Sequence, residues 1–308
     1  CIGSLRRRPM DRIIEPLIKM GAVIESSNNL LPIRINKGID IGGAHSPIIA
    51  SAQVKSSLSL AALASGYDII INEASTTRDH LERILFTHAP ESISIFNNSI
   101  SIFGNRFRCK RMSISIPGDI SSASFIILAS IYFNKPMKIK SVLTNTRRTG
   151  FIKVAKKMGA NISIINEKEL YGENYGDIEI KKSSIRSIDI GENEIPSIID
   201  EIPAIAVLAL KARGETTVRG ASELRVKESD RIRSITQNME SFGASVKEYE
   251  DGFTVKREKL HNTTIRTFSD HRIAMAFYIL SRSLNTKPIL DDMSCINKSY
   301  PSFLYDIE

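Results

Sequence analysis

The size and composition of the chain exclude several classes of protein. Its 308 residues, 42% of them hydrophobic, can bury a substantial core and favour two domains, but apolar runs such as 205–210 are too short to span a bilayer. The net charge of +8 suits nucleic acid or small anions, and the absence of Trp with only 6% aromatic residues favours small anions.

One order of elements recurs along the chain. An apolar helix is followed by a strand, a basic residue beside a helix start, an amphipathic helix and another strand. The chain opens with the second half of this unit over residues 8–22, and further copies span 56–85, 121–165, 200–255 and 270–307. Such repetition predicts supersecondary units that share a core.

The two helices of a repeat are predicted to be buried to different extents. Residues 205–210 are apolar on nearly every side, which indicates a fully buried helix. In the following helix, Ile232, Ile235 and Met239 recur at helical spacing on one face, and Gly243 predicts its end.

Basic residues beside the predicted starts of the one-faced helices form a second recurring feature. A helix N-terminus presents unpaired N–H groups and usually favours acidic residues, so repeated basic residues there predict anion-binding sites. We expect Pro9 to be a first helical residue, Thr77 to cap the next one-faced helix, and Arg231 to lie one turn into its helix. The basic residues concerned are Arg8, Arg78, Arg148, Lys227 with Arg231, and Lys298.

The cysteines and the N-terminus bear on compartment and metal binding. Cys1, Cys109 and Cys295 lie far apart, without metal-ligand spacing or a disulfide framework. The opening CIGSLRRRPM has no apolar run after its basic residues and does not have the pattern of a signal peptide. We therefore expect a reduced, cytoplasmic protein with no metal site.

Short motifs occur in the order typical of one enzyme family. They are RPM (8–10), SAQVKS (51–56), TRDH (77–80), PGDISSASF (117–125), TRRTG (146–150), IDEIPA (199–204), LRVKESDR (224–231), SDHRIAM (269–275) and KSYP (298–301). With these motifs the chain resembles the 5-enolpyruvylshikimate-3-phosphate (EPSP) synthases, the 3-phosphoshikimate 1-carboxyvinyltransferases of aromatic biosynthesis. The SAQ form resembles the second class of that family.

The resemblance implies an α/β (α+β) fold of two lobes, an inside-out α/β barrel of repeated βαβαββ units with its active site in the cleft. It assigns residues 1–116 to the remainder of a first lobe on the shikimate-phosphate side, and 117–308 to a second lobe carrying the phosphoenolpyruvate side and the catalytic carboxylates. Family members carry a Lys-Ser…Arg segment before the part that begins here near Ser4. We therefore expect an N-terminally truncated chain, without turnover by itself and monomeric when full length.

The reaction implied is transfer of the enolpyruvyl group of phosphoenolpyruvate to the 5-hydroxyl of shikimate-3-phosphate, with release of phosphate and no metal or organic cofactor. By resemblance, Asp200 is the candidate base for the hydroxyl, and Glu228 is the candidate proton donor and acceptor at the methylene carbon. From position alone, Asp200 is typical of a helix cap and Glu228 of a solvated charge.

Substrate-binding residues also follow from the resemblance. Arginine suits phosphoenolpyruvate because its planar guanidinium pairs with carboxylate or phosphate, whereas we expect His271 to be a structural neighbour of Arg272. The residues implied for phosphoenolpyruvate are Arg8, Gln53, Arg231, Arg272 and Lys298. Those implied for shikimate-3-phosphate are Ser51, Ala52, Gln53, Arg78, Asp200 and Lys227.

Three alternatives compete with this interpretation. A UDP-sugar enolpyruvyl transferase shares the fold and chemistry, but it lacks the RVKESDR motif and often uses a cysteine in a setting that none of the three cysteines matches. A catalytically inactive remnant that binds anions is the second alternative. An RNA-binding protein is favoured by the net charge alone, and we expect neither a nucleic acid nor a membrane partner.

Overall fold

The computed structural model describes Arg6, residues 8–46 and residues 51–308. The chain forms two compact units. Unit 1 takes in Cys1–Ser115 and Glu169–Glu173, and unit 2 takes in Ile116–Lys168 and Asn174–Glu308. Cys1 and Ser4, which bear on the predictions about compartment and truncation, lie outside the described residues. The assignment of one substrate to each unit stays a prediction.

Unit 1 consists of helices that pack against small sheets. Its helices are α1 (Asp11–Lys19), α2 (Ala52–Ser65) and α3 (His80–His88). Its strands are β1 (Val23–Ser27), β2 (Leu30–Lys37), β3 (Gly43–His45), β4 (Asp68–Asn72), β5 (Ile93–Phe96) and β6 (Ser99–Phe103). Strands β1 and β2 form an antiparallel pair, and the other four form a sheet in the order β3-β4-β6-β5. Leu58 of α2 belongs to the same buried cluster as Ile69 of β4 and Ile100 of β6.

Unit 2 is larger and repeats the same elements. Its helices are α4 (Ile120–Phe133), α5 (Gly150–Lys157), α6 (Ile195–Ile198), α7 (Ile202–Ala209), α8 (Arg231–Ser241), α9 (His271–Ser283) and α10 (Phe303–Ile307). Its strands are β7 (Met137–Leu143), β8 (Asn161–Leu170), β9 (Glu173–Lys181), β10 (Asp189–Ile190), β11 (Glu215–Val218), β12 (Ser245–Tyr249), β13 (Gly252–Lys256), β14 (Thr264–Ile265) and β15 (Ile289–Leu290). Within the described ranges, no helix has the length and apolar character needed to cross a membrane.

The sheets confirm the repeat predicted from the sequence. The sheet β10-β11-β13-β12 has a parallel pair followed by antiparallel pairs, as does β3-β4-β6-β5 in unit 1. The sheet β7-β9-β8 follows the same order, and a parallel bridge from Gly118 to Val142 occupies its first position. Strands β14 and β15 form another parallel pair. The predicted α/β class, built from βαβαββ units, is therefore confirmed.

The core of unit 2 surrounds its apolar helices. Every residue of α7 is buried, which confirms the prediction made from its uninterrupted apolar sequence. Helix α8 is one-faced as predicted, because Ile232, Ile235 and Met239 are fully buried. Gly243 has φ +89, and a Cβ there would lie 2.8 Å from His261 Nδ1, so the glycine ends this helical segment as expected.

Two of the predicted helix starts are wrong by a few residues. Helix α1 begins at Asp11 rather than Pro9, since the Met10 amide donates to the Asn29 carbonyl (2.8 Å) before the helix starts. Thr77 does not cap α3, which begins at His80, because the Thr77 hydroxyl donates instead to Glu73 (2.6 Å).

The start of α8 also differs from the sequence expectation. The Asp230 carboxylate accepts a hydrogen bond from the Arg233 amide (3.0 Å), which makes Asp230 the N-cap. Arg231 is consequently the first helical residue rather than a residue one turn into the helix. This places its side chain at the end of α8 where backbone N–H groups lack helical partners.

The complete burial of α7 generates a stability prediction. We expect Ile205→Ala to lower the free energy of unfolding by about 2–5 kcal/mol, because it removes apolar atoms from a close-packed site and leaves a cavity. Ile116→Ala is the control, since Ile116 is 89% exposed and its loss should cost less than about 0.5 kcal/mol. Urea denaturation followed by circular dichroism measures both, and equal losses would contradict the proposed core.

Candidate active site

Arg231 is the centre of a charge cluster in unit 2. Its side chain is 1% exposed, and its Nε donates to Asp270 Oδ2 at 2.7 Å. Its Nη2 lies 2.5 Å from Glu228 Oε2, while its Nη1 lies 3.6 Å from Asp200 Oδ1. Nη1 is buried and has no hydrogen-bond partner among the described residues. One guanidinium thus gathers three carboxylates from three separate segments.

The electrostatics of this cluster keep Arg231 charged. Burial by itself lowers the pKa of the Arg231 guanidinium, but the carboxylates of Asp270, Glu228 and Asp200 outweigh burial and raise that pKa above its ordinary value. A buried cation with several carboxylates is held in place by hydrogen bonds as well as by charge. The side chains of the cluster therefore already hold their positions before an anion binds.

Helix caps fix the backbone on both sides of the cluster. Asp270 is completely buried and caps α9 by accepting from the Arg272 amide at 2.9 Å. Because Asp270 also binds the Arg231 side chain, it connects the starts of α8 and α9. Ser229 adds a longer hydrogen bond, 3.3 Å, to the same carboxylate. The first turns of the two helices are thereby held together.

Arg272 extends the cluster towards Asp200. Its Nη1 donates to the Asp200 backbone carbonyl at 2.9 Å and lies 3.9 Å from Glu201 Oε1. The Asp200 backbone is therefore held by one arginine while its carboxylate faces a second, Arg231. The structure brings four predicted site residues together here: Asp200, Glu228, Arg231 and Arg272.

The two predicted lysines of unit 2 differ in their surroundings. Lys298 Nζ lies 3.5 Å from the Ser269 carbonyl, next to the start of α9. Helix α10 begins only at Phe303, so the prediction that Lys298 stands at a helix start of its own is wrong; it lies in a short 3-10 turn instead. Lys227 is half-buried, with its Nζ 3.7 Å from Glu223 Oε2.

A second polar chain lies beside Asp200. Glu201 is buried, and burial raises the pKa of its carboxyl group. Its carboxylate contacts the Ser121 hydroxyl, which accepts a hydrogen bond from Arg148 Nη2 at 2.8 Å. Arg148 also pairs with Asp119 at 3.1 Å. These contacts connect Arg148 to the start of α4, and the anion site inferred from its position before a helix stays a prediction.

His271 and Cys295 have environments that bear on catalysis. Burial lowers the pKa of His271 below its ordinary value, so the imidazole is neutral at pH 7, in keeping with a structural neighbour of Arg272. Burial raises the pKa of Cys295 to about 11, and its Sγ donates to the Asp292 carbonyl at 3.2 Å. A thiol in this setting is a poor nucleophile at neutral pH.

The predicted site residues of unit 1 lie on three segments. Ser51, Ala52 and Gln53 form the start of α2, where Ser51 is the N-cap without a side-chain hydrogen bond to its own helix. Arg78 lies in the loop between β4 and α3, and Arg8 precedes α1; both are half-buried. The start of α2 thus offers backbone N–H groups and the positive end of the helix dipole.

Two acidic residues of the unit 2 cluster, Asp270 and Glu201, were missed by sequence analysis. An Asp directly before a helix is typical of a cap, and the sequence gives no sign that Asp270 also binds a buried arginine. Glu201 adjoins Asp200 in the IDEIPA motif, which is the signal that could have identified it. Across the described segments, no group of three or more His, Cys, Asp or Glu side chains is placed to hold a metal ion.

Comparisons with known proteins give one answer. A family model described as EPSP synthase (3-phosphoshikimate 1-carboxyvinyltransferase) matches residues 3–307. A 3-phosphoshikimate 1-carboxyvinyltransferase of Petrotoga mobilis is 41% identical over 306 residues, which cover 97% of this chain and 71% of the relative. One from Thermoanaerobacter sp. is 38% identical over 303 residues, with 97% and 71% coverage. The chain thus spans about seven tenths of the length of these curated relatives.

Solved structures agree with the sequence relatives. An EPSP synthase from Acinetobacter baumannii superposes with a TM-score of 0.86 at 34% identity, covering 99% of this chain and 71% of that structure. The enolpyruvyl transferase NikO from Streptomyces tendae superposes with a TM-score of 0.72 at 12% identity, covering 97% and 70%, and shares the fold alone. On this sequence and structural similarity, the chain belongs to the EPSP synthase family of 3-phosphoshikimate 1-carboxyvinyltransferases.

Proposed function

We propose that the residues around Arg231 carry out the chemical steps of enolpyruvyl transfer from phosphoenolpyruvate to the 5-hydroxyl of shikimate-3-phosphate. Family membership supplies the reaction. The observation that carries the assignment is the Arg231 guanidinium, which contacts both candidate carboxylates while its Nη1 lacks a hydrogen-bond partner among the described residues. An anionic substrate oxygen would satisfy that buried N–H group.

The two carboxylates have different tasks in this proposal. Asp200 accepts the proton of the 5-hydroxyl as the hydroxyl oxygen bonds to C2 of phosphoenolpyruvate, and Glu228 in its protonated form delivers a proton to the methylene carbon, which becomes a methyl group. In the second half of the reaction, the bond between C2 and the phosphate oxygen breaks, the departing phosphate takes up the proton held by Asp200, and Glu228 takes a proton back from the methyl group. Contact with Arg231 orients Glu228 for both transfers.

Cations hold the phosphoenolpyruvate in this proposal. Arg231 and Arg272 offer planar guanidinium groups that can pair with two oxygens of a carboxylate or phosphate. Their positions are fixed beforehand by Asp270 and by the Asp200 backbone, so little reorganisation is needed when charge develops. We also assign Arg8, Gln53 and Lys298 to this substrate.

Shikimate-3-phosphate is assigned to residues of both units. In unit 1 these are Ser51, Ala52, Gln53 and Arg78, where a helix start can receive the phosphate. In unit 2 they are Lys227 and Asp200. The monomeric state, the cytoplasmic location and the absence of a nucleic acid partner stay predictions.

The proposal is tested by phosphate release. Release should require phosphoenolpyruvate and shikimate-3-phosphate together, measured with the chain by itself and with the N-terminal segment of the Petrotoga mobilis relative added in trans. Release that depends on a UDP-sugar in place of shikimate-3-phosphate would favour the rival transferase. The buried, protonated Cys295 argues against that rival, since a cysteine nucleophile needs its thiolate form.

Glu228→Gln gives the first mechanistic prediction. The amide cannot donate and accept the proton, so we expect turnover, assayed with the N-terminal segment added, to fall by about 10²–10⁴-fold while calorimetry finds both substrates still bound. Glu258→Gln, a change at an exposed residue that pairs with Lys256, is the matched control and should leave turnover unaltered. Normal turnover in Glu228→Gln would remove Glu228 from the mechanism.

Arg272→Lys gives the second prediction. Lysine keeps the charge but loses the two-pronged geometry, so phosphoenolpyruvate affinity should fall while shikimate-3-phosphate affinity stays nearly intact. Arg282→Lys changes an exposed arginine in the last turn of the same helix and serves as the control. Calorimetric titrations with each substrate decide the matter, and equal weakening of both would show that Arg272 is assigned to the wrong ligand.

A further inference from the structure

A buried charge cluster in unit 1 lies outside the residues assigned so far. Lys55, in the first turn of α2, is 2% exposed. Its Nζ lies 2.8 Å from Glu82 Oε1 and 3.2 Å from Glu73 Oε1. Both carboxylates are themselves nearly inaccessible, with 4% and 8% of their side chains exposed. We refer to Lys55, Glu73 and Glu82 as the Lys55 cluster.

The Lys55 cluster connects the start of α2 to the loop that precedes α3. On the helix side, the Lys55 amide donates to the Ser51 carbonyl at 3.0 Å. On the loop side, Glu73 Oε1 accepts from the Thr77 hydroxyl at 2.6 Å and from the Thr77 amide at 3.3 Å. The Lys55 side chain, which starts from the same helical turn as Ser51, therefore connects this turn through its ion pair with Glu73 to Thr77.

Stability by itself does not account for such an arrangement. A buried cation with two carboxylates loses hydration for all three groups and retains an excess negative charge, whereas apolar side chains of similar volume would fill the same space without that cost. What the charges provide is a defined geometry, because each contact fixes the position of one segment against another. The two segments so fixed carry Ser51–Gln53 on one side and Arg78 on the other.

We infer that Lys55 and Glu73 are positioning residues. They hold the start of α2 and the loop with Arg78 in the relative position needed to bind the phosphate group of shikimate-3-phosphate. This inference rests on the proposed function, since it concerns the same substrate. Neither residue touches the ligand in this proposal. Each acts through the backbone and through Thr77, and misplacing a binding group by about 1 Å can weaken its effect by as much as about 10²-fold.

The sign of the effect separates positioning from simple electrostatics. Removing the Glu73 carboxylate takes a negative charge away from the neighbourhood of an anion site, so charge alone predicts tighter binding of shikimate-3-phosphate. Loss of the connection to Thr77 predicts weaker binding. The two explanations therefore call for changes in opposite directions.

Glu73→Ala is the decisive variant. We expect its affinity for shikimate-3-phosphate, measured by calorimetry, to be at least about tenfold lower than that of the parent chain. It should fold, because Lys55 keeps Glu82 as a one-to-one ion-pair partner. Glu73→Gln removes the same charge but keeps an oxygen that can accept from Thr77, so it should restore most of the affinity.

Glu82→Ala is the matched control. It removes a carboxylate from the same cluster but leaves the path from Lys55 through Glu73 to Thr77 intact, so the affinity should remain close to that of the parent. Leu58→Ala leaves a cavity on the next turn of α2 and so destabilises unit 1 without touching the Lys55 cluster. Its affinity, compared with that of Glu73→Ala at a matched melting temperature, shows how much binding is lost through destabilisation alone. If Glu73→Ala does not fold, Thr77→Val breaks the other end of the same connection and should weaken binding likewise.

The outcomes distinguish this inference from the proposed function. If the parent chain binds shikimate-3-phosphate and Glu73→Ala binds it as tightly or more tightly, Lys55 and Glu73 are not positioning residues. Equal losses in Glu73→Ala and Glu82→Ala, or no recovery in Glu73→Gln, overturn the inference as well. If the parent chain binds no shikimate-3-phosphate, with or without the added N-terminal segment, the proposed function fails and this inference fails with it.

Discussion

The ion pair between Arg231 and Asp270 is the interaction on which the unit 2 site depends. Asp270 is fully buried, caps α9 and holds the side chain that opens α8, so one carboxylate fixes two helix starts. Without it, the Arg231 guanidinium would be a buried charge left with Glu228 at 2.5 Å and the more distant Asp200. The candidate catalytic groups are thus arranged around Arg231, and the position of Arg231 is in turn held by the buried Asp270.

Much of the fold could be predicted from the sequence because the βαβαββ unit leaves a repeated pattern. The uninterrupted apolar run at 205–210 indicated α7, and the one-faced pattern ending in glycine indicated α8. The motif around Glu228 and Arg231 identified residues that the structure brings together. These signals are local, since each is contained within about twenty residues of chain, and local patterns are what a single sequence conveys most directly.

The features that could not be predicted from the sequence depend mostly on contacts between segments that lie far apart in the chain. In the sequence, Asp270 was typical of a helix cap, but its buried partner Arg231 lies 39 residues away. Lys55 was one charge within a motif that indicated substrate binding, but its partner Glu82 lies 27 residues away. The start of α1 was misplaced because the Met10 amide donates to the Asn29 carbonyl, and the start of α3 because Thr77 donates to Glu73, four residues before it, instead of capping the helix. The contacts of Arg148 with Asp119 and Ser121 were not predicted, because these partners precede it by 29 and 27 residues.

Unit 1 includes a piece of chain that follows it by more than fifty residues in the sequence. Glu169–Glu173, which comprises the end of β8, the turn and the first residue of β9, belongs to this unit, and Arg83 of α3 donates to the Gly172 carbonyl at 2.8 Å. During synthesis, a domain normally folds as its own residues leave the ribosome, N-terminal units first. Unit 1 cannot form the last of its contacts until residues 169–173, which follow the first part of unit 2, have been synthesised. The two units therefore cannot complete their folding strictly one after the other during translation.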